Sequence, residues 1–329
     1  IGTVLMIAVS MMQPRQIRRL ALVIFLLGLA AMAGVLIGGE EVNGARRWLR
    51  LAGFSIQPSE FVKPAFVVLA AWAFSEVQKQ VDMPARSIAV GLYVVFAALL
   101  LMQPDVGQTF LISTLWTALF VLAGQPLAWV GVFAVIGVLG LVGAYMTLDY
   151  VRFRVDRFLA PTGDEYSQTA RALQSFVEGG FFGRGPGEGT IKTALPDAHT
   201  DFIFAVIAEE YGAVTCLALV ALITFIVLRA YFRTFTETDP FTRLAVAGLS
   251  LLFGLQAAIN MGVNVGLLPA KGMTLPFISA GGSSLVSTFL VMGIILALTR
   301  RRPDALRLRR PHSAFNTEPG MTALGSATR

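Results

Sequence analysis

Charge is scarce in this chain. Asp, Glu, Lys and Arg make up 14% of its 329 residues, against about 25% in soluble domains. Such a shortage argues against a soluble enzyme with a solvated surface. Cys216 is the only cysteine and excludes an internal disulfide. Alternating ten-residue segments are missing, which excludes a transmembrane barrel. No internal repeat is visible, which weakens an inverted-repeat transporter. There is no P-loop and so no implied nucleotide, and no signal peptide is apparent. The net charge of +6 could suggest nucleic acid, but the cations cluster beside apolar runs. Lipid phosphates and positive-inside topology account for that better, and no nucleic-acid partner is expected.

Apolar residues make up 55% of the chain and mean hydropathy is +0.70. The apolar runs lie near 1–12, 20–38, 61–74, 88–102, 109–123, 126–148, 202–228, 244–268 and 274–299. Several approach the ~20 residues that cross a bilayer as helix, and helix satisfies its own backbone in lipid. The expectation is therefore an all-α polytopic integral membrane protein with about nine helices. An odd number of crossings puts the two ends on opposite sides. The stretch "RRRPDALRLRR" after the last run carries six arginines in eleven residues, which places the tail in the cytoplasm. Ile1 opens a run too short to span, as though the chain began inside a helix.

Residues 1–300 thus read as a transmembrane domain and 301–329 as a basic tail, expected to be disordered. Two segments on the outer face interrupt the apolar pattern. Residues 38–60, "GGEEVNGARRWLRLAGFSIQPSE", join Gly-rich turn chemistry to an Arg/Trp amphipathic stretch. Residues 149–201 form a large extracytoplasmic loop, in which "YSQTARALQSFVEGG" suits a short surface helix ending at Gly179. Loops of this length between packed spans are usually functional.

Asp201 closes that loop at the mouth of an apolar run. Either Thr200 or Asp201 caps the following helix, or Asp201 is a general base tuned by partial desolvation at the membrane surface. His199 beside it is a surface residue or a second polar contact. Glu60 and Lys63, at i, i+3 spacing, read as a buried ion pair or the floor of a polar cavity. Asp105 after Pro104 reads as a turn and cap. Glu209 and Glu210, deeper along the helix of Asp201, require a partner or a wet cavity for at least one of them. Arg46, Arg47 and Arg50 around Trp48 read as an interfacial amphipathic helix with snorkelling arginines, or as a phosphate clamp. Lys271, and Ser283 and Ser284 after Gly281-Gly282, suit an anion at a helix entrance or close helix packing.

The order of these pieces carries more than any one of them. "GARRWLRLAGFSIQPSEFVK", "QPDVGQT", "GRGPGEGTIK", "PDAHTDFIFAVIAEEYG" and "KGMTLPFISAGGSSL" together resemble the SEDS family (shape, elongation, division and sporulation) from about residue 5 to residue 300. "PDAHTDF" and "KGMTLPFIS" are closer to its division members than to its elongation members. The resemblance implies a ten-helix fold, here without its first helix. It also implies a peptidoglycan glycosyltransferase in the bacterial cytoplasmic membrane, at the septum, with its active site facing the periplasm. The implied substrates are lipid II and an undecaprenyl-linked glycan strand. A class B penicillin-binding protein and other divisome membrane proteins are the implied partners.

The family's essential aspartate matches Asp201, with Arg46, Arg47, Glu60, Lys63, Asp105, His199, Thr200, Lys271, Ser283 and Ser284 as candidate substrate contacts. Inverting transfer needs a base on the acceptor hydroxyl and positive charge on the departing diphosphate. Arg46, Arg47 and Lys271 can supply that charge, with Mg or Mn as an alternative helper; no resident metal ligand set is assigned. Ala280 departs from the family, which commonly has Tyr before the double glycine. A lipid II flippase and a non-catalytic division scaffold are the competing readings.

Overall fold

The computed structural model describes residues 1–42, 45–51, 54–80, 83–159, 168–269 and 272–300. Each of the nine apolar runs contains one helix: α1 Gly2–Ser10, α2 Pro14–Gly38, α3 Pro58–Gln78, α4 Ala85–Met102, α5 Val106–Leu122, α6 Ala128–Thr147, α9 Ile203–Arg233, α10 Pro240–Asn264 and α11 Gly282–Thr299. Six of them (α2, α4, α6, α9, α10 and α11) are long and apolar enough to cross a membrane. The protein is a multi-pass membrane protein. Between α6 and α9, α7 spans Asp149–Leu159 and α8 spans Gln168–Gly179. The surface helix expected to end at Gly179 does so. The basic tail at 301–329 and Lys271 lie outside the described residues.

α3 is the hub, packing against α2, α4, α5, α10 and α11. It is buried along most of its length, from Pro58 to Ser75. Pro64 lies inside it and has no N–H to give the Glu60 carbonyl four residues earlier. Ser287 Oγ of α11 takes up that carbonyl at 2.6 Å. A proline that would be costly alone is thereby accommodated by a neighbouring helix, as buried backbone in a bilayer requires. α6 is the opposite case. No residue of it is buried, and an all-round apolar helix of this kind suits lipid contact.

Three sequence expectations change. Residues 46–50 are strand, not amphipathic helix: β1 Glu40–Val42, β2 Ala45–Leu51 and β3 Phe54–Ile56 form one antiparallel sheet in the order β1-β2-β3. Glu40 pairs with Trp48, Glu41 with Arg46, and Arg50 with Ser55. Asn43-Gly44 in the sequence is the short-range hairpin signal that marks it. Secondly, the last run is helical only from Gly282; residues 274–281 are irregular and packed inward, with Leu275 and Ser279 buried. Thirdly, α9 is not one continuous helix. Gly212 breaks it at φ 81°, ψ 174°, leaving a short outer piece, 203–211, and an inner piece, 213–233.

The break has a length argument and a local cause. A 31-residue helix would run about 46 Å, well over the ~30 Å apolar core. The inner piece alone, about 31 Å by the same rise, matches one crossing. Locally, the loop after α8 inserts at the break and satisfies the freed backbone. Arg184 N–H donates to Glu209 O at 2.9 Å and Gly185 N–H to Glu210 O at 3.0 Å. In return Ala213 N–H donates to Gly180 O at 2.9 Å. A Cβ at Gly212 would stand 2.3 Å from Phe181 O, so only glycine fits.

Candidate active site at the outer end of α9

Asp201 lies on the turn just before α9. Neither it nor Thr200 caps that helix: the N-cap is Phe202, and no side chain closes it. The capping reading fails because the turn folds back on itself, with the N–H groups of Thr200 and Asp201 donating to Asp197 O at 3.0 and 3.1 Å. The carboxylate of Asp201 has no hydrogen-bond partner among the described residues. Burial, helped by the nearby Asp197 carboxylate, pushes its pKa up to about 6.

The backbone of this turn is tightly held. Ser279 Oγ donates to Thr200 O at 2.6 Å and Ala280 N–H to His199 O at 2.9 Å. Two buried α10 side chains, Asn260 and Asn264, each donate to Asp201 O at 2.9 Å. A Cβ on Gly272 would lie 3.4 Å from Asp201 Oδ2. The segment 272–280 therefore forms one wall beside the carboxylate. His199 is exposed and Thr200 half-buried. Ala280 meets the turn through its backbone, so this contact survives the loss of the usual tyrosine.

Glu60, Lys63 and Asp105 gather elsewhere, at the N-terminal ends of α3 and α5. Lys63 Nζ donates to Glu60 Oε1 at 2.7 Å and to Gln108 Oε1 at 3.1 Å, and Gln108 Nε2 donates to Glu60 Oε1 at 3.3 Å. These three buried groups satisfy one another. Asp105 caps α5 as expected, accepting from Gln108 N–H at 3.2 Å. Burial lifts its carboxyl pKa, and the Arg47 guanidinium 3.6 Å away opposes the rise. Arg47 also donates to Gln103 O at 3.2 Å and Pro104 O at 2.5 Å. Its fork is occupied by the α4–α5 turn. Arg46 is exposed on the same strand.

Ser283 and Ser284 are buried at the start of α11. Ser283 Oγ accepts from Gln57 N–H at 3.4 Å and Ser284 Oγ donates to Gly281 O at 3.2 Å. The serine that reaches the Asp201 turn is Ser279, which the sequence reading missed, as it missed Asn260, Asn264 and Gln108. Polar residues deep in apolar runs were the available signal.

Glu209 and Glu210 do find partners. Fully buried Glu209 accepts from Thr190 N–H at 2.6 Å, Ile191 N–H at 2.8 Å and Lys192 N–H at 3.2 Å. Glu210 pairs with Lys192. The "GEGTIK" loop is thus fastened to the outer piece of α9, two turns beyond Asp201. Among the described residues no group of three His, Cys, Asp or Glu side chains could hold a metal ion.

With this geometry in hand, comparison with known proteins gives a consistent result. The FtsW/RodA/SpoVE family model, described as "Cell cycle protein", matches residues 1–303. The chain is 48% identical to the probable peptidoglycan glycosyltransferase FtsW of Caulobacter vibrioides over 304 residues, covering 92% of this chain and 78% of the relative. The corresponding protein of Thiomicrospira cyclica is 38% identical over 286 residues, 83% of this chain and 73% of that one. Among solved structures, a chain of a peptidoglycan synthase complex that coordinates polymerization and crosslinking superposes with TM-score 0.74 at 30% identity, over 91% of this chain and 86% of that chain. The rod shape determining protein RodA of Thermus thermophilus gives 0.66 at 25%, over 91% and 83%.

Proposed function

The chain belongs to the FtsW/RodA/SpoVE family of cell cycle proteins, and from that membership we infer that it is a peptidoglycan glycosyltransferase. It polymerises lipid II into β-1,4 glycan strands during septal cell-wall synthesis and releases undecaprenyl diphosphate. Asp201 is its general base. One observation carries that role: a carboxylate with no capping duty and no partner among the described residues, raised to about 6, on a turn fixed from two sides. At neutral pH it is ionised and able to accept a proton.

The acceptor sugar's 4-hydroxyl oxygen attacks the anomeric carbon of the donor. The C1–O4 bond forms as the C1–O(phosphate) bond breaks, the hydroxyl proton passes to Asp201, and the diphosphate leaves with the bonding pair. Attack opposite the leaving group inverts the anomeric centre, so no covalent sugar–enzyme intermediate is needed. Arg46 and Lys271 supply positive charge to the diphosphate. Among the described residues no group of three His, Cys, Asp or Glu side chains could hold Mg or Mn by itself, and no step is assigned to one.

The site works on the periplasmic side of the cytoplasmic membrane at the septum, in residues 1–300, with the cytoplasmic tail at 301–329. A class B penicillin-binding protein cross-links the strands as they emerge, a pairing supported by the likeness to a peptidoglycan synthase complex. Other divisome membrane proteins complete the assembly. A flippase would use Glu60, Lys63 and Asp105 as a polar path, but those groups are satisfied among themselves and with Arg47 and Gln108.

The test is polymerisation of purified lipid II by the reconstituted protein with its transpeptidase partner. Asp201→Asn should lose nearly all turnover while inserting normally. Strands made at the wild-type rate would remove the catalytic role and favour the scaffold.

A further inference from the structure

Asn260 and Asn264 stand one turn apart on α10 and are buried to 1% and 0% exposure. Amides this deep in a spanning helix are costly unless their donors and acceptors are used. Here they are used, and the two amides share one target. Asn260 Nδ2 donates to Asp201 O at 2.9 Å and to Met273 O at 2.6 Å. Asn264 Nδ2 donates to Asp201 O and to Asn260 O, both at 2.9 Å. Asn264 Oδ1 accepts from Ala205 N–H at 3.0 Å, in the first turn of α9.

Both side chains therefore converge on one carbonyl, that of Asp201, and fill both of its acceptor sites. Two donors on one oxygen fix the orientation of the 201–202 peptide. The N–H of Asp201, bonded to Asp197 O at 3.1 Å, fixes the peptide before it. The Cα–Cβ direction is then set, while the carboxylate itself stays available. Asn260 also holds Met273, next to Gly272, the residue that borders Asp201 Oδ2. One amide thus governs both the acid and the wall facing it. Holding two helices together would need no such convergence.

We infer that Asn260 and Asn264 are positioning residues for glycosyl transfer, aiming the Asp201 carboxylate by clamping its backbone carbonyl from α10. This rests on the assignment of Asp201 as the base. Neither asparagine touches the reacting atoms. Misplacing a reacting group by about 1 Å can cost ~100-fold in rate, so the clamp acts on turnover and not on lipid II affinity.

The discriminating variant is Asn264→Asp. It keeps the shape and the oxygen that accepts from Ala205 N–H, but replaces the donor to Asp201 O with an acceptor. Asn260→Ser weakens the clamp from the other side and serves if Asn264→Asp does not accumulate. Lipid II polymerisation is measured with the reconstituted protein and its transpeptidase partner, alongside melting temperature and Asp201→Asn. A fall in kcat of about 10- to 100-fold per folded enzyme with unchanged KM is expected. In Asn260→Ser, which adds no charge, the acid limb of the rate profile should also move to lower pH as the turn opens to water. Among the described residues the ionisable groups near Asp201 are Asp197 and His199 on its own turn; residues 272–281 and the facing asparagines add none, and Lys271 lies outside the described residues. Wild-type kcat in both asparagine variants and a wild-type acid limb in Asn260→Ser, with Asp201→Asn inactive, would overturn the clamp alone. So would a loss of rate that only follows loss of folded protein. An active Asp201→Asn would overturn the base itself.

Discussion

Lys63 Nζ donates to Glu60 Oε1 at 2.7 Å within α3, with the two side chains 1% and 5% exposed. Gln108 bonds to both from α5. The pair ties the hub helix to its neighbour at a depth where neither charge reaches water.

Removing one partner leaves an unpaired buried charge, which typically costs about 3–5 kcal/mol. Glu60→Ala and Lys63→Ala should each lower melting temperature strongly. The double variant should lose much less than the sum of the two. Additive losses in that thermal cycle would refute direct pairing.

Asp201 should make the protein less stable as pH rises. Its folded pKa is about 6 against the usual 3.8, so between these values the folded state holds a proton that the unfolded chain has released. Its contribution is favourable below about pH 3.8 and is lost as pH rises through 6. Asp201→Asn removes the dependence. The variant should melt above wild type at pH 7 and 8, with the gap closing toward pH 4. A constant gap across that range would contradict the raised pKa.

Gly212→Ala tests the break in α9. Its φ of 81° and the 2.3 Å approach to Phe181 O leave no room for a methyl group. Strain of this kind costs about 1–3 kcal/mol before any clash. Lower melting temperature and faster proteolysis between residues 180 and 190 are expected. Unchanged stability would mean that the break is not needed to seat the loop.

Arg46 and Arg47 should respond differently to lysine. Arg47 holds two carbonyls and Asp105 with a planar fork that lysine cannot reproduce. Arg47→Lys should therefore cost about 1–3 kcal/mol of stability with little change in lipid II dependence. Arg46→Lys should raise the lipid II concentration needed for half-maximal rate. Identical behaviour of the two variants in both assays would refute the division of labour.

Much of this protein follows from local pattern. Nine apolar runs gave nine helices because hydropathy and backbone self-satisfaction leave few alternatives in a bilayer. Glu60 and Lys63 were legible as a pair because i, i+3 spacing on a helix sets the distance by itself. Asp105 was legible as a cap for the same local reason. The strands at 40–56 are not legible from amphipathicity alone, because a short Arg/Trp stretch suits either period, although Asn43-Gly44 carries a hairpin signal.

What tertiary structure decided is the environment of Asp201. Its availability depends on a turn that bonds to itself, on Ser279 and Ala280 some eighty residues later, and on Asn260 and Asn264 from another helix. No local rule relates those positions. They meet because residues 272–281 leave helical geometry and pack against the turn, and because α10 packs beside α9. In the sequence, Asn260 and Asn264 are two amides in an apolar run; their convergence on one carbonyl depends on how the helices pack.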